Sequence, residues 1–265
     1  MTVTIHLVRH AQGFHNLSVI NQQIPDPLLT PHGREQCAEL CRTFPYHDRI
    51  THLVASPLRR TMYTCLLSFA PAVRAGKKVI ALPEVQEVSA LPCDTGSDPA
   101  VLQAEFGDKA DLSLVKPGWN DKSPGSKWAP EIGKLEARAR DARLWLRKLG
   151  QDAGGQADIV VVSHGGFAHI FTEDFEGMNL ARGTGWENCE YRSYEFKDPT
   201  GADPHASLRE TKTSWRRRRG SAKGLSETEK QQLRAVMVGE MEKEFQALAE
   251  EASKEQEVAV ADDDA

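Results

Sequence analysis

Two apolar runs of the sequence each end in a histidine followed by small residues. The first is Ile5-His6-Leu7-Val8-Arg9-His10-Ala11-Gln12-Gly13, and the second is Asp158-Ile159-Val160-Val161-Val162-Ser163-His164-Gly165-Gly166. Runs of this length and composition predict buried strands. In open α/β sheets, ligands bind beyond the carboxyl ends of such strands. Two imidazoles delivered to the same end of one sheet form a candidate catalytic pair, and Arg9 adjoins the first of them. Arg59 and Arg60 fall in the first turn of a helix predicted after Ser56-Pro57. Two cations there oppose the helix dipole and point to an anion nearby.

The surrounding residues sharpen this reading. Arg9-His10-Ala11-Gln12-x-x-x-Asn16 resembles the Arg-His-Gly-Glu-x-x-x-Asn signature of the histidine phosphatase (phosphoglycerate mutase-like) superfamily. Asp26-x-Leu28-Leu29-Thr30-x-x-Gly33-x-x-Gln36, Ser56-Pro57-Leu58-x-Arg60-Thr61-x-x-Thr64 and Ser163-His164-Gly165-Gly166 resemble its other blocks, in family order. The resemblance covers the chain from its start to the helix after His164. It implies an α/β fold: a three-layer sandwich with a mainly parallel sheet and helices on both faces. It also implies a phosphohistidine reaction that needs no cofactor and no metal. Two positions depart from the signature, Ala11 in place of glycine and Gln12 in place of glutamate. Ala11 is harmless if its φ is negative and costly if it is positive.

The residue types suit that reaction. A phosphomonoester carries about two negative charges, which repel an anionic nucleophile. A neutral imidazole avoids the repulsion, and guanidinium groups stabilise the phosphoryl oxygens as charge redistributes. His10 is then the expected nucleophile. Arg9 and Arg60 supply planar forks for the phosphate, with His164 and Asn16 as further donors. The nearby arginines disfavour imidazolium and keep His10 available near neutral pH. One carboxylic acid can protonate the leaving alkoxide and later deprotonate water. By the resemblance it lies after the third strand, where Glu87 in Leu-Pro-Glu-Val-Gln-Glu is the best match. Glu84, one helical turn away, is the second choice, and Asp94 the third. His164 and His169 lie five apart, off a common helical face, so no metal pair is expected.

These groups need elements to position them. Thr30-Pro31 reads as an N-cap and first-turn proline for a helix to Phe44. Thr51 to Ala55 reads as a second strand, Ser56-Pro57 as another cap-plus-proline start, and Val79 to Leu82 as a third strand. The stretch from Leu91 to Lys127, rich in Pro, Gly, Asp and Ser, reads as an insertion over the site with one short helix, Pro99 to Phe106. Ile132, Leu135, Ala139, Ala142, Leu146 and Leu149 mark a strong helix, and Glu190 to Phe196 an edge strand. Strand–helix alternation implies a mainly parallel sheet.

The catalytic domain is expected over residues 1–200. A polar and basic linker follows at 201–225, then an amphipathic helix at 226–252 and an acidic, disordered tail at 253–265. The capping box Ser226-x-x-Glu229 starts that helix. Its stripe of Leu233, Met237, Met241, Phe245 and Leu248 either packs on the core or pairs with a second copy as a homodimer. The run Arg216 to Arg219 reads as solvated linker, with a nuclear-localisation or anion-binding patch as the alternative.

A formal charge of −5 over 265 residues and a pI near 6.0 give no global attraction to nucleic acid or membrane. Five cysteines without framework spacing point to reduced thiols in a cytoplasmic or nuclear setting. No leader-like run opens the sequence, and no segment reaches the ~18 apolar residues of a spanning helix. The preferred function is a cofactor-independent phosphomonoesterase acting on a small phosphorylated metabolite. A phosphoglycerate-type mutase ranks second, because mutase substrate-binding segments find no match in the insertion or the tail. A non-catalytic phosphate-binding scaffold ranks third, since binding alone needs no nucleophile with an acid.

Overall fold

The apolar runs that carry the two histidines become the central strands of a seven-stranded sheet. In the computed structural model, which describes residues 2–180 and 183–263, the strands are β1 (Thr2–Arg9), β2 (Ile50–Ala55), β3 (Val79–Ala81), β4 (Ala110–Asp111), β5 (Gln156–Ser163), β6 (Tyr191–Phe196) and β7 (Leu208–Glu210). Their spatial order is β4-β3-β2-β5-β1-β6-β7. The first five strands run parallel, whereas β6 is antiparallel to both β1 and β7.

The helices are α1 (Pro31–Thr43), α2 (Arg59–Ser68), α3 (Ala70–Arg74), α4 (Pro99–Phe106), α5 (Ile132–Asp152), α6 (Gly165–Thr172), α7 (Lys212–Arg219) and α8 (Glu227–Asp263). They cover both faces, as strands that are apolar on both sides require. On one face Ile5, Leu7 and Val161 pack with Leu135, Ala139, Ala142 and Leu146 of α5 and with Phe167 and Phe171 of α6. On the other, Val8, Leu53, Val160 and Val162 pack with Leu40 of α1, Met62 and Cys65 of α2, and Leu102 and Phe106 of α4. The result is the expected three-layer sandwich. No helix of the described residues is long and apolar enough to cross a membrane.

Local signals hold in some places and fail in others. Thr30 caps α1 by accepting from Gly33 N at 2.9 Å, with Pro31 as its first residue. Ser56-Pro57 does not cap α2: that helix begins two residues later, after Leu58, because Ser56 is drawn to a histidine described below. Tyr191–Phe196 is not an edge strand, since β7 pairs along its outer side. Residues 201–225, expected as a linker, contain both β7 and α7. Thr211 caps α7, and ion pairs from Arg218 to Glu210 (2.7 Å) and Arg219 to Glu176 (2.9 Å) fix its arginine run to the domain. The helix read over 226–252 continues as α8 to Asp263, through most of the expected disordered tail; residues 264 and 265 lie outside the described residues.

The stripe of α8 packs inward, with Met237, Met241 and Phe245 buried in the α5–α6 cluster. Met241 is 1% exposed. Met241→Ala is therefore expected to cost about 2–4 kcal/mol of unfolding free energy, the range for a large-to-small change in a core. Thermal and urea denaturation check this, and an unchanged midpoint would place α8 off the domain.

Candidate active site

Strand pairing brings the two histidines together. Arg9 lies opposite Ser163 in the β1–β5 register, so His10 and His164 are the next residue on each strand. His10 N still donates to Ser163 O at 2.9 Å. The rings stand 5.2 Å apart, centroid to centroid, and both are buried. Arg60, on the first turn of α2, reaches the same place from β2's carboxyl end, while Arg9 ends β1.

Hydrogen bonds define the two imidazoles. His10 Nδ1 lies 2.7 Å from Ala11 O. A carbonyl only accepts, so Nδ1 carries the proton and Nε2 keeps its lone pair. Burial, then the charges of Arg60 and Arg9, hold the pKa of His10 well below the usual histidine value. His10 is neutral at neutral pH. His164 Nδ1 faces Arg60 Nη2 at 3.0 Å; the guanidinium can only donate, so His164 Nε2 carries the proton and donates to Ser56 Oγ at 2.9 Å. Burial and Arg60 keep this ring neutral too.

The arginines are partly engaged and partly available. Arg60 donates through Nη2 to Asp94 Oδ1 at 2.8 Å and through Nη1 to Cys93 O. Arg9 donates through Nη1 to Trp186 O. The Nε–H groups of both are buried and find no partner among the described residues. Two buried, unpartnered guanidinium donors beside a neutral imidazole are what an anion with several oxygens would satisfy.

The three candidate acids sit in different settings. Glu84 pairs with Lys127 at 3.0 Å, away from the histidines. Asp94 is committed to Arg60 and accepts from Ser89 Oγ at 2.6 Å. Glu87 lies at the start of α6, accepting from Phe167 N at 2.8 Å, Val88 N at 3.0 Å and Gly166 N at 3.2 Å. Gly166 permits this approach, since a Cβ there would come 2.8 Å from Glu87 Oε1. Burial and the neighbouring Asp94 raise the Glu87 pKa above the ordinary glutamate value, outweighing Arg60 and the backbone donors. A raised carboxyl pKa suits a proton donor.

The loop after His10 accommodates both departures from the signature. Ala11 lies outside the left-handed region, and its side chain packs with Leu29 and Cys37. Gln12 is held by a 2.8 Å bond from Thr30 Oγ1 to its Oε1 and by a 2.8 Å bond from its own N to Gln36 Oε1. Asn16 does not enter the buried cluster; its exposed side chain closes its own turn, accepting from Gly13 N at 3.0 Å.

Sequence reasoning missed four side chains here. His15 stands 5.3 Å from the His10 ring and has a buried, unpartnered Nδ1. Burial, Arg60 and Arg9 lower its pKa to about 2. Its signal was a second histidine within the signature itself. Ser56 anchors His164, although its sequence context matched a helix cap equally well. Lys122 and Arg138 both donate to Glu87 O, at 3.1 and 3.3 Å. Arg138 also lies over the Phe167 ring at 4.5 Å, one of two buried cations, with Arg143, among the apolar residues of α5. Lys122 comes from an irregular loop with no periodicity to reveal it; burial lowers its pKa to about 7. Among the described residues, no group of three or more His, Cys, Asp or Glu side chains could hold a metal ion.

Residues 5–202 match the histidine phosphatase superfamily (branch 1). The chain belongs to that superfamily. It is 25% identical over 240 residues to a phosphoglycerate mutase-like protein of Arabidopsis thaliana, covering 74% of this chain and 84% of the relative. Among solved structures, the ecdysone phosphate phosphatase of Bombix mori, crystallised with tungstate, superposes with a TM-score of 0.52 at 16% identity, over 73% of this chain and 89% of that one. YhfR of Bacillus stearothermophilus superposes with a TM-score of 0.51 at 14% identity, over 79% and 96%. Both share its mostly parallel, helix-flanked sheet. The superfamily match supports reading the chain as a phosphoric monoester hydrolase.

Proposed function

We propose that the protein is a cofactor-independent phosphomonoesterase that hydrolyses a small phosphorylated metabolite through a phosphohistidine on His10. The observation that carries this reading is a neutral, buried His10 with its Nε2 lone pair free, beside two guanidinium groups whose Nε–H donors have no partner among the described residues. His10 Nε2 attacks phosphorus, and the bond to the alcohol oxygen breaks as that oxygen takes the proton of Glu87. Water then attacks the phosphohistidine and gives its proton to Glu87, restoring the acid and releasing phosphate. Arg9 and Arg60 stabilise the phosphoryl oxygens throughout; His164, whose Nε2–H is held by Ser56, positions Arg60 through Nδ1, and Asn16 lies outside the buried cluster. A mutase would return the phosphoryl group to bound product instead of water. Product analysis separates the two, since only hydrolysis releases inorganic phosphate stoichiometrically.

The pH profile of alkyl phosphate turnover tests the assignment, because an alkoxide needs the Glu87 proton to leave. Phosphorylation needs His10 neutral and Glu87 protonated. The His10 pKa is depressed, so the acid limb of kcat/KM lies well below the ordinary histidine value. The Glu87 pKa is raised, so activity falls on the alkaline side through a value above ordinary glutamate. Glu87→Gln removes that alkaline limb; a limb that survives belongs to the substrate's own phosphate. An acid limb at the ordinary histidine pKa would contradict the field described for His10.

A further inference from the structure

Residues 13–25 read Gly-Phe-His-Asn-Leu-Ser-Val-Ile-Asn-Gln-Gln-Ile-Pro, without one Asp, Glu, Lys or Arg, in a chain that is 27% charged. The segment folds as two 3-10 turns, Phe14–Asn16 and Ile20–Gln23. It turns apolar side chains outward: Leu17 is 54% exposed, Val19 80% and Ile20 75%, with Phe14 and Ile24 near 40%. Single exposed apolar residues are ordinary, but a contiguous set marks a binding surface.

Its two ends meet opposite sides of the phosphoryl site. At the start, His15 faces His10 at 5.3 Å; a Cβ on Gly13 would come 2.7 Å from His15 Nδ1, so glycine lets that ring lie close. At the far end, Asp26 N donates to Pro92 O at 3.4 Å. The turn Pro92–Asp94 supplies Cys93 O and Asp94, which hold Arg60. The segment therefore spans from the nucleophile side to the Arg60 side. Of the nearby cations, Lys122 and Arg138 are buried behind Glu87, donating to its main-chain oxygen through Nζ and Nη2, and Arg59 is paired with Glu105 at 2.8 Å; none of the three lies on residues 13–25.

An alcohol esterified to phosphate is tied to phosphorus through one oxygen, so it must lie against the wall next to the phosphoryl group. We propose that residues 13–25 form that wall and select phosphomonoesters of uncharged, lipophilic alcohols over phosphorylated acids or sugars. The inference rests on the phosphatase reading above and adds its substrate class.

The full-length protein tests it with ethyl, butyl, hexyl and octyl phosphate, below their micellar concentrations, against 3-phosphoglycerate. We expect kcat/KM to rise roughly two- to fourfold per methylene, the scale of partial to full burial of each group. It should be lowest for the phosphorylated acid. The exposed double variant Leu17→Ser, Ile20→Ser should flatten the series. A flat series in the parent, a preference for 3-phosphoglycerate, or a slope that survives the double variant overturns the proposal. Conversion of a dimer to a monomer by the same variant, seen by sedimentation, also overturns it, because the patch would then join two copies. Failure to turn over any ester sinks the phosphatase reading, and this inference with it, whereas turnover without a slope sinks the inference alone.

Discussion

His10→Ala is expected to lower turnover of p-nitrophenyl phosphate by about four orders of magnitude or more, the scale on which covalent nucleophiles contribute. Rapid acid-free quenching with labelled substrate should give a protein phosphate that survives alkali and is lost in acid, as a phosphoramidate is, and the label should vanish in the variant. The geometry argues for so large an effect because His164 cannot substitute. Its Nε2 carries the proton and donates to Ser56, and its one in-plane lone pair, on Nδ1, accepts from Arg60, so neither nitrogen is free to attack. His15 cannot easily substitute either, being held at the edge of the cluster by its own loop. Label that persists in His10→Ala, or that maps to a serine or aspartate, overturns the mechanism.

Glu87→Gln is expected to discriminate between leaving groups. An alkoxide departs poorly without a proton, while nitrophenolate leaves unaided. The loss in kcat/KM should therefore be about 10–100-fold larger for an alkyl phosphate than for p-nitrophenyl phosphate. Using kcat/KM confines the comparison to phosphorylation, because the later hydrolysis step is common to both substrates. Glutamine keeps an acceptor for the amides of α6, so the helix start is preserved. Glu84→Gln is the natural control, since its partner is Lys127. Asp94→Asn is not, because it also removes the anchor of Arg60. If Glu84→Gln shows the dependence and Glu87→Gln does not, the acid is Glu84.

The elements that carry chemistry were legible because their signals are strong and local. The runs ending at Arg9 and Ser163 are apolar on both faces, as only a central parallel strand requires, so pairing them placed His10 beside His164. Thr30-Pro31 and Pro99 marked helix starts through backbone chemistry that acts within a turn. What escaped was either too short or tied to distant partners. Ala110–Asp111 and Leu208–Glu210 are too brief for alternation to show. The arginine run looked like a solvated linker because the carboxylates of Glu210 and Glu176 that fix it, and the Tyr191 ring beneath Arg217 at 3.7 Å, are visible only in three dimensions. Ser56 illustrates a true ambiguity: a serine before a proline can cap a helix or hold a histidine, and the choice is made by His164, 108 residues away.

The pairing of β1 with β5 has a consequence for how the protein is made. β1 finds its parallel neighbour about 150 residues later in the chain, and its other neighbour, β6, later still. At ordinary rates of synthesis that interval is on the order of ten seconds. Throughout it, Val3, Ile5, Leu7 and Val8 have no sheet to enter, and closing so long a loop makes the central pairing an intrinsically slow step. His10 is thus synthesised long before the residues that surround it, so a nascent chain stalled before Ser163 presents a sticky apolar strand and no working centre.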